Sequence, residues 1–296
     1  MPKSHRLGTV GVWSSAWTHA LSGGGSLYTS AFDDAAAELD ALGYGTIWLG
    51  SSPAVPYAAP LLEAAPRITV ATGILSIWQH DAAEVAGQRA ALEQRHPGRF
   101  VLGLGVSHDS MTEGYARPYS AMREYLTALD SAAEPVPAEG RVLAALGPRM
   151  LTLSRDRAAG AHPYLVTVEH TAEARGILGE DALLAPELKV VLDPDLDAAR
   201  ARARAYLSFY LRLPNYTNNL LRLGFTEDDF RDGGSDHLLG AVFALGDADA
   251  IAARVAAYLA AGADHLAIQV VTDNPQHDLP LHAWRRLAPA IVPSDH

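Results

Sequence analysis

The loop Gly147-Pro148-Arg149 has the composition of a site for an anionic ligand. It follows an apolar segment, residues 142–146, and precedes a helical pattern that runs to residue 159. Gly147 lets a ligand approach the backbone, Pro148 suits the first turn of a helix, and the N–H groups of a helix N-terminus attract phosphate. The same residues also suit an ordinary helix start without a ligand, so the loop alone leaves both interpretations open.

The polar residues that follow the other apolar segments limit the classes of reaction that the protein can catalyse. They include few carboxylates, so the carboxylate pair of a retaining glycosidase is missing. None of the 12 histidines forms the His-x-His pattern typical of metal-dependent hydrolases, and Lys189 stands near the start of its segment, where it does not suit a Schiff-base aldolase. No metal site is expected. Such neutral loops favour a phosphorylated cofactor that brings its own chemistry. The residues are Trp13-Ser14-Ser15, Ser51-Ser52, Gly73-Ile74, Ser107-His108-Asp109, residues 167–170, Asp193 and Thr272-Asp273.

Composition limits the class of protein. The 296 residues are 49% hydrophobic, which supplies a large core, and they include no cysteine, which excludes disulfides and thiolate chemistry. With 23 basic and 34 acidic residues the formal net charge is −11, which argues against a nucleic-acid partner. Neither a signal-peptide pattern at the N-terminus nor an apolar run of membrane-spanning length is present, so we expect a cytoplasmic protein without a membrane partner.

Strand-like and helical patterns alternate along the whole chain. Helices are predicted at residues 31–42, 56–65, 81–96, 120–132, 248–261 and 281–291, with others after Pro148, Glu169 and Pro194. Eight such strand–helix units predict one α/β domain over residues 1–296, a (β/α)8 TIM barrel with an insertion or lid around residues 206–240. A doubly wound open sheet is the alternative, but no Gly-x-Gly-x-x-Gly follows the first strand. The predicted strands are residues 7–13, 46–50, 69–74, 100–105, 142–146, a segment that ends at 167, 188–193 and 265–271.

Six motifs, spread over nearly the whole chain, resemble the luciferase-like monooxygenase superfamily and, within it, the branch of oxidoreductases that depend on coenzyme F420. The Gly-Arg-Phe-x-Leu-Gly-x-Gly run at residues 98–105 is typical of the superfamily, although flavin and deazaflavin enzymes share it. The resemblance implies hydride transfer between the deazaflavin F420 and a small organic substrate. The alternatives are an FMN-dependent monooxygenase and a catalytically silent barrel that acts as a binding protein. The motifs lie at residues 71–78, 96–108, 143–151, 159–175, 213–230 and 246–271.

The resemblance also implies roles for individual residues around the cofactor. One segment would lie beneath the deazaflavin ring, often with a cis peptide bond that does not involve proline, and a second group would hold the phosphate. Arg149 or Arg175 would meet the acidic tail of F420. The residues expected beneath the ring are Thr72, Gly73 and Ile74, and those expected at the phosphate are Leu146, Gly147, Pro148 and Thr167.

On the substrate side of the ring, the resemblance points to Ser107 and His108. His108 is the first candidate for a proton donor or acceptor, because imidazole titrates near neutrality. Many relatives carry a histidine or an Asp-His pair after the second strand, whereas this chain has Gly50-Ser51-Ser52. Ser51 and Trp13 are therefore the further catalytic candidates, with a role in shaping the pocket as the alternative. We also expect a homodimer.

Overall fold

A computed structural model describes residues 7–293, so the first six residues of the N-terminus, where no signal-peptide pattern is found, lie outside the described residues. The strands are β1 (Val10–Ser14), β2 (Thr46–Leu49), β3 (Thr69–Thr72), β4 (Leu75–Ser76), β5 (Phe100–Gly105), β6 (Arg141–Leu143), β7 (Gly160–Ala161), β8 (Leu183–Leu184), β9 (Glu187–Leu192), β10 (Phe243–Gly246) and β11 (Leu266–Val270). None of the helices in residues 7–293 is long and apolar enough to cross a membrane.

The helices follow the strands in alternation. They are α1 (Ala16–Leu21), α2 (Ser30–Ala41), α3 (Ala58–Ala64), α4 (Ala82–Arg95), α5 (Pro118–Asp130), α6 (Pro148–Arg157), α7 (Val168–Leu178), α8 (Leu196–Tyr210), α9 (Pro214–Arg222), α10 (Asp236–Val242), α11 (Ala248–Ala260) and α12 (Leu281–Ile291). Short 3₁₀ segments lie at Ser22–Gly24, Val55–Tyr57, Asp109–Met111, Ala138–Gly140 and Glu227–Gly233.

All strand pairs are parallel and close into a barrel. The order is β10-β9-β11-β1-β2-β3-β5-β6-β7-β8, and β4 also pairs with β5. The segment of β8 and β9 closes the ring, because the Glu187 N–H donates to the Pro163 carbonyl (2.9 Å) and the Ala267 N–H to the Pro186 carbonyl (3.0 Å). β3 and β4 together form one strand position of the barrel, and β8 and β9 together form another. β10 pairs with the last four residues of β9 and does not count as a further position. Eight positions therefore form the predicted (β/α)8 TIM barrel.

The barrel interior is a packed layer of inward-facing side chains. Trp13 pairs with Trp48, Trp48 with Ala71, and Ala71 with Val101, so four neighbouring strands contribute one residue each at the same level. Small residues beside the two indoles leave room for them. Between barrel and helices lies the larger apolar layer, which includes Trp17 and Trp284 stacked 5.8 Å apart. The buried strands thus have apolar residues on both faces, as parallel sheets require.

The two largest differences between the structure and the predicted elements are the end of β7 and the segment that precedes β10. Strand pairing in β7 ends at Ala161 and not at Thr167, because Pro163 has no N–H to donate and Leu165 has a left-handed backbone (φ 54°). Between the helix predicted after Pro194 and the helix predicted at residues 248–261, where the sequence predicts no regular element, the structure has α9, α10 and β10. The lid region predicted around residues 206–240 corresponds to the end of α8, α9, a 3₁₀ segment and most of α10.

Candidate active site

A cavity of about 1080 Å³ opens at the carboxyl ends of the barrel strands. Its walls come from the ends of β1, β2, β3, β5 and β6, from the segment after β7, and from α8 and α9. This is the end of a TIM barrel at which active sites form. Eight of the residues predicted from the sequence line it: Trp13, Ser51, Gly73, Ile74, Ser107, His108, Leu146 and Gly147.

The remaining four predicted residues do not line the cavity. Thr72 is buried between β3 and β5, where its hydroxyl donates to the Gly103 carbonyl (2.7 Å) and accepts from the Gly103 N–H (2.8 Å). Thr167 is the N-cap of α7, and its hydroxyl oxygen accepts from the His170 N–H (3.2 Å). Pro148 and Arg149 are exposed on the first turn of α6, with the Arg149 guanidinium 4.4 Å from the centre of the Tyr119 ring. Arg175, the other tail candidate, is paired with Asp264 (2.6 Å).

The irregular peptide expected after β3 is present. The bond between Gly73 and Ile74 is cis, and the Trp13 indole N–H donates to the Gly73 carbonyl (2.8 Å). Gly105 on β5 leaves the space that the Ile74 side chain occupies. Gly73, Ile74 and Trp13 therefore form one continuous wall of the cavity.

The loop at Gly147 is open to a ligand. A Cβ atom added there would meet no atom within 4 Å, and no side chain caps the helix that Pro148 begins. The first N–H groups of α6 are therefore not engaged by a capping side chain, as a phosphate site requires.

Three tyrosine hydroxyls and one amide form a polar cluster in the cavity wall. The Tyr164 hydroxyl lies 3.0 Å from that of Tyr206 and 2.9 Å from that of Tyr210, and those two are 2.9 Å apart. Tyr164 donates to Gln269 Oε1 (2.8 Å), and Gln269 Nε2 donates to Tyr206 (2.5 Å). Each hydroxyl has one proton to donate. When Tyr206 donates to Tyr210 and Tyr210 donates to Tyr164, every hydroxyl proton in the cluster is used, and each hydroxyl oxygen keeps one free lone pair.

A buried ion pair lies below this cluster. Lys189 Nζ is 2.7 Å from Glu187 Oε2 and 3.6 Å from the centre of the Tyr164 ring, and both charged side chains are fully buried. Burial lowers the pKa of Lys189 to about 8 and raises that of Glu187, while each partner favours the charged form of the other. Burial also raises the pKa of Tyr206 to about 12, so the hydroxyl cluster is neutral.

Two buried histidines flank Trp48 inside the barrel. The His162 ring stacks on Trp48 with centroids 4.0 Å apart, and the Trp48 indole N–H donates to His265 Nε2 (3.0 Å). Each Nδ1 donates to a carbonyl, that of Ala185 (2.7 Å) for His162 and that of Gly8 (2.8 Å) for His265. Burial lowers the pKa of both imidazoles to about 4, so both are neutral at pH 7.

His108 lies under α9 at the mouth of the cavity. The Asn215 side-chain nitrogen lies 3.2 Å from His108 Nδ1, and the Tyr216 ring packs against the imidazole with centroids 5.1 Å apart. Burial lowers the pKa of His108. The charged residues at the rim are paired, because Arg202 donates to Asp273 (3.0 Å) and lies 3.8 Å from Asp193. Within residues 7–293 no cluster of histidine, aspartate and glutamate is arranged to hold a metal ion.

The sequence interpretation missed several residues of this site. Tyr206 and Tyr210 are four positions apart on one helix, and His162 and Tyr164 are two positions apart after a strand. Residues at these spacings lie on the same face of a helix or of an extended segment, so the sequence could have indicated that each pair faces the cavity together. No pattern in the sequence connects either pair with Gln269 or with Lys189.

Comparisons with known proteins identify the family of the chain. The sequence profile of the luciferase-like monooxygenases matches residues 10–265. No curated protein shows significant sequence similarity to the chain.

Solved structures share the fold at low identity. An F420-dependent secondary alcohol dehydrogenase in complex with an F420–acetone adduct superposes with a TM-score of 0.70, 14% identity, and coverage of 96% of this chain and 98% of the other. The F420-dependent tetrahydromethanopterin reductase from Methanopyrus kandleri superposes with a TM-score of 0.71 and 13% identity, and the match covers 97% of this chain and 99% of the other. The oxygenating constituent of 3,6-diketocamphane monooxygenase from Pseudomonas putida, in complex with FMN, superposes with a TM-score of 0.65 and 14% identity. The match covers 96% of this chain and 98% of the other. With the profile covering most of its length, the chain belongs to the luciferase-like monooxygenase family.

Proposed function

We propose that this member of the family is an oxidoreductase that uses coenzyme F420 and a small organic substrate. The observation that carries the proposal is the neutral cavity between Gly73-Ile74 and Gly147. Apart from the paired Arg202 and Asp273 at the rim, its polar side chains are hydroxyls, amides, imidazoles and an indole, and none of these can exchange a hydride with a substrate. A bound deazaflavin supplies that chemistry.

The residues of the cavity divide into those that hold the cofactor and those that face the substrate. Gly73 and Ile74 would support the ring, and the open backbone at Gly147 would accept the phosphate, as the sequence resemblance implies. Thr72 and Thr167 would support these segments from behind, since their hydroxyls are engaged with backbone. His108, Trp13 and the tyrosine cluster would line the space left for the substrate.

The choice of F420 over FMN rests on Arg149. This arginine is exposed near Gly147. Its guanidinium lies 4.4 Å from the centre of the Tyr119 ring and forms no ion pair with any residue in the range 7–293. Both cofactors carry a phosphate that an arginine beside Gly147 can contact, but F420 alone carries a further acidic tail, so Arg149 would gain an additional partner in F420. Two of the structures with the same fold depend on F420, and a third binds FMN.

Titration of the purified protein with each cofactor tests the proposal. We expect saturable quenching of F420 fluorescence, with affinity for F420 at least tenfold higher than for FMN. Arg149→Gln should weaken F420 binding more than it weakens FMN binding, because only F420 has an acidic tail in addition to its phosphate. Tight binding of FMN alone would favour the FMN-dependent monooxygenase, and no saturable binding of either cofactor would favour the catalytically silent barrel. Sedimentation of the same sample tests the proposed homodimer.

A further inference from the structure

The side chain of Asn215 has a fixed orientation relative to His108. Its amide nitrogen lies 3.2 Å from His108 Nδ1 and 3.4 Å from the Ser107 carbonyl oxygen. A carbonyl oxygen only accepts hydrogen bonds, so the amide nitrogen, and not the amide oxygen, must face this point. His108 Nδ1 therefore accepts a hydrogen bond and carries no proton.

This contact determines which nitrogen of His108 is protonated. A neutral imidazole with an unprotonated Nδ1 carries its proton on Nε2. The imidazolium form would place a second N–H at Nδ1, directly against the N–H₂ of Asn215. Asn215 is in the first turn of α9, whose partial positive charge also disfavours an imidazolium. Tyr216 is the titratable group that contacts the ring from α9, and burial keeps its phenol protonated.

The chemical consequence is a restricted role for His108. Its single lone pair is occupied by Asn215, so it cannot take up a proton while α9 is in this position. Loss of the Nε2 proton would produce an imidazolate, which is far too basic to form at neutral pH. What remains is an Nε2–H group that donates a hydrogen bond without transferring its proton, a role that neutral histidine is known to have in enzymes.

We propose that Asn215 is a positioning residue that holds His108 as a neutral Nε2–H donor, and that the substrate atom facing His108 is a hydrogen-bond acceptor such as a carbonyl or alcohol oxygen. The second half rests on the proposed function, since it assumes that a substrate occupies the cavity. The first half is a property of the protein alone. It replaces the role of proton donor or acceptor expected for His108 from the sequence.

Nitrogen-15 NMR of the histidine side chains tests the first half without cofactor or substrate. In the wild-type protein we expect the Nε2–H form of His108 to persist as the pH is lowered through 6.5, where a free imidazole is half protonated. Asn215→Ala should give a mixture of tautomers. Asn215→Asp should place the proton on Nδ1 and raise the proton affinity about tenfold or more, because the carboxylate favours imidazolium. Asn218→Ala, three residues further along the same helix and also exposed, is the matched control and should leave the His108 signals unchanged.

Two results would overturn the assignment: an Nδ1–H signal for His108 in the wild-type protein, or an identical tautomer and titration in Asn215→Ala. Circular dichroism should confirm that each variant is folded, which the exposure of Asn215 favours. Neither result depends on F420, so failure of the proposed function leaves this test intact.

Substitution of His108 tests the second half. His108→Gln keeps an N–H donor close to the position of Nε2 but cannot carry a proton in acid–base catalysis. We expect turnover with F420 within about tenfold of wild type for His108→Gln and about a hundredfold lower for His108→Ala, with F420 affinity nearly unchanged in both. Equal losses in the two variants would show that His108 transfers a proton and that the donor role is wrong.

Discussion

Lys189 and Glu187 form a fully buried ion pair inside the barrel, with 2.7 Å between Nζ and Oε2. They are two positions apart on β9, so both side chains point to the same face of the strand. The Glu187 carboxylate also accepts from the Leu165 N–H (3.2 Å), in the segment that carries Tyr164. The pair therefore connects the barrel interior to the wall of the cavity.

Removal of one partner of this pair should destabilise the protein strongly. Glu187→Gln leaves the Lys189 ammonium without a counter-charge in the interior, and we expect the free energy of unfolding to fall by about 3–5 kcal/mol. Urea denaturation at pH 7 measures the change. Glu63→Gln, which removes the exposed partner of Arg95, is the matched control and should leave the midpoint almost unchanged. Similar midpoints for the two variants would show that the buried pair is energetically unimportant.

The two buried histidines should make the protein sensitive to acid. In the folded state the pKa of His162 and of His265 is about 4, below the ordinary value of about 6.5 in an unfolded chain. The unfolded chain therefore binds more protons between these values, so stability is highest above pH 6.5 and decreases as the pH falls toward 4. The slope should approach about 1.4 kcal/mol per pH unit for each histidine.

Urea midpoints between pH 7 and pH 4.5 check this dependence. His162→Gln should reduce the slope by the contribution of one histidine, whereas His282→Gln, at an exposed position, should not change it. A flat profile in the wild-type protein would contradict the assignment of both imidazoles as neutral.

A negative charge at Gly147 should weaken cofactor binding if the phosphate lies there. Space around Gly147 is open and its φ is −91°, so substitution is compatible with the fold. We expect Gly147→Asp to lower the affinity for F420 by tenfold or more through charge repulsion. Gly147→Asn has the same shape without the charge and separates repulsion from loss of backbone access. An unchanged dissociation constant in Gly147→Asp would remove this phosphate site.

A methyl group on Gly105 should disturb the wall that Ile74 forms. A Cβ atom there would overlap Ile74 Cδ1 and lie 2.7 Å from Cγ1, so the isoleucine side chain must move. Because the displaced group is the end of a flexible side chain, we expect Gly105→Ala to fold but to bind F420 several-fold more weakly. Gly87→Ala, on α4 with no neighbour within 4 Å, should bind F420 like the wild type. Equal F420 affinity in both variants would show that Ile74 does not support the ring.

The sequence by itself determined the barrel and the location of the cavity. Alternation of strand and helix patterns, with buried strands such as Phe100–Gly105, is sufficient to predict parallel βα units, and parallel units place their carboxyl ends at one face. Residues next to strand ends, such as His108 and Gly147, were therefore predicted to line the cavity, and they do. Thr167 was also predicted to line the cavity but does not, because β7 ends at Ala161 and the Thr167 hydroxyl caps α7.

Only the tertiary structure decided which side chains meet. Tyr164 and Gln269 are 105 residues apart, and Asn215 and His108 are 107 apart, so each contact depends on barrel closure and on the path of α8 and α9 across the cavity. The periodicity of a strand or helix determines the face on which a residue lies, but not the register of the neighbours that it finds there. The position of Lys189 at the base of the tyrosine cluster, and the tautomer of His108, are decided by those neighbours.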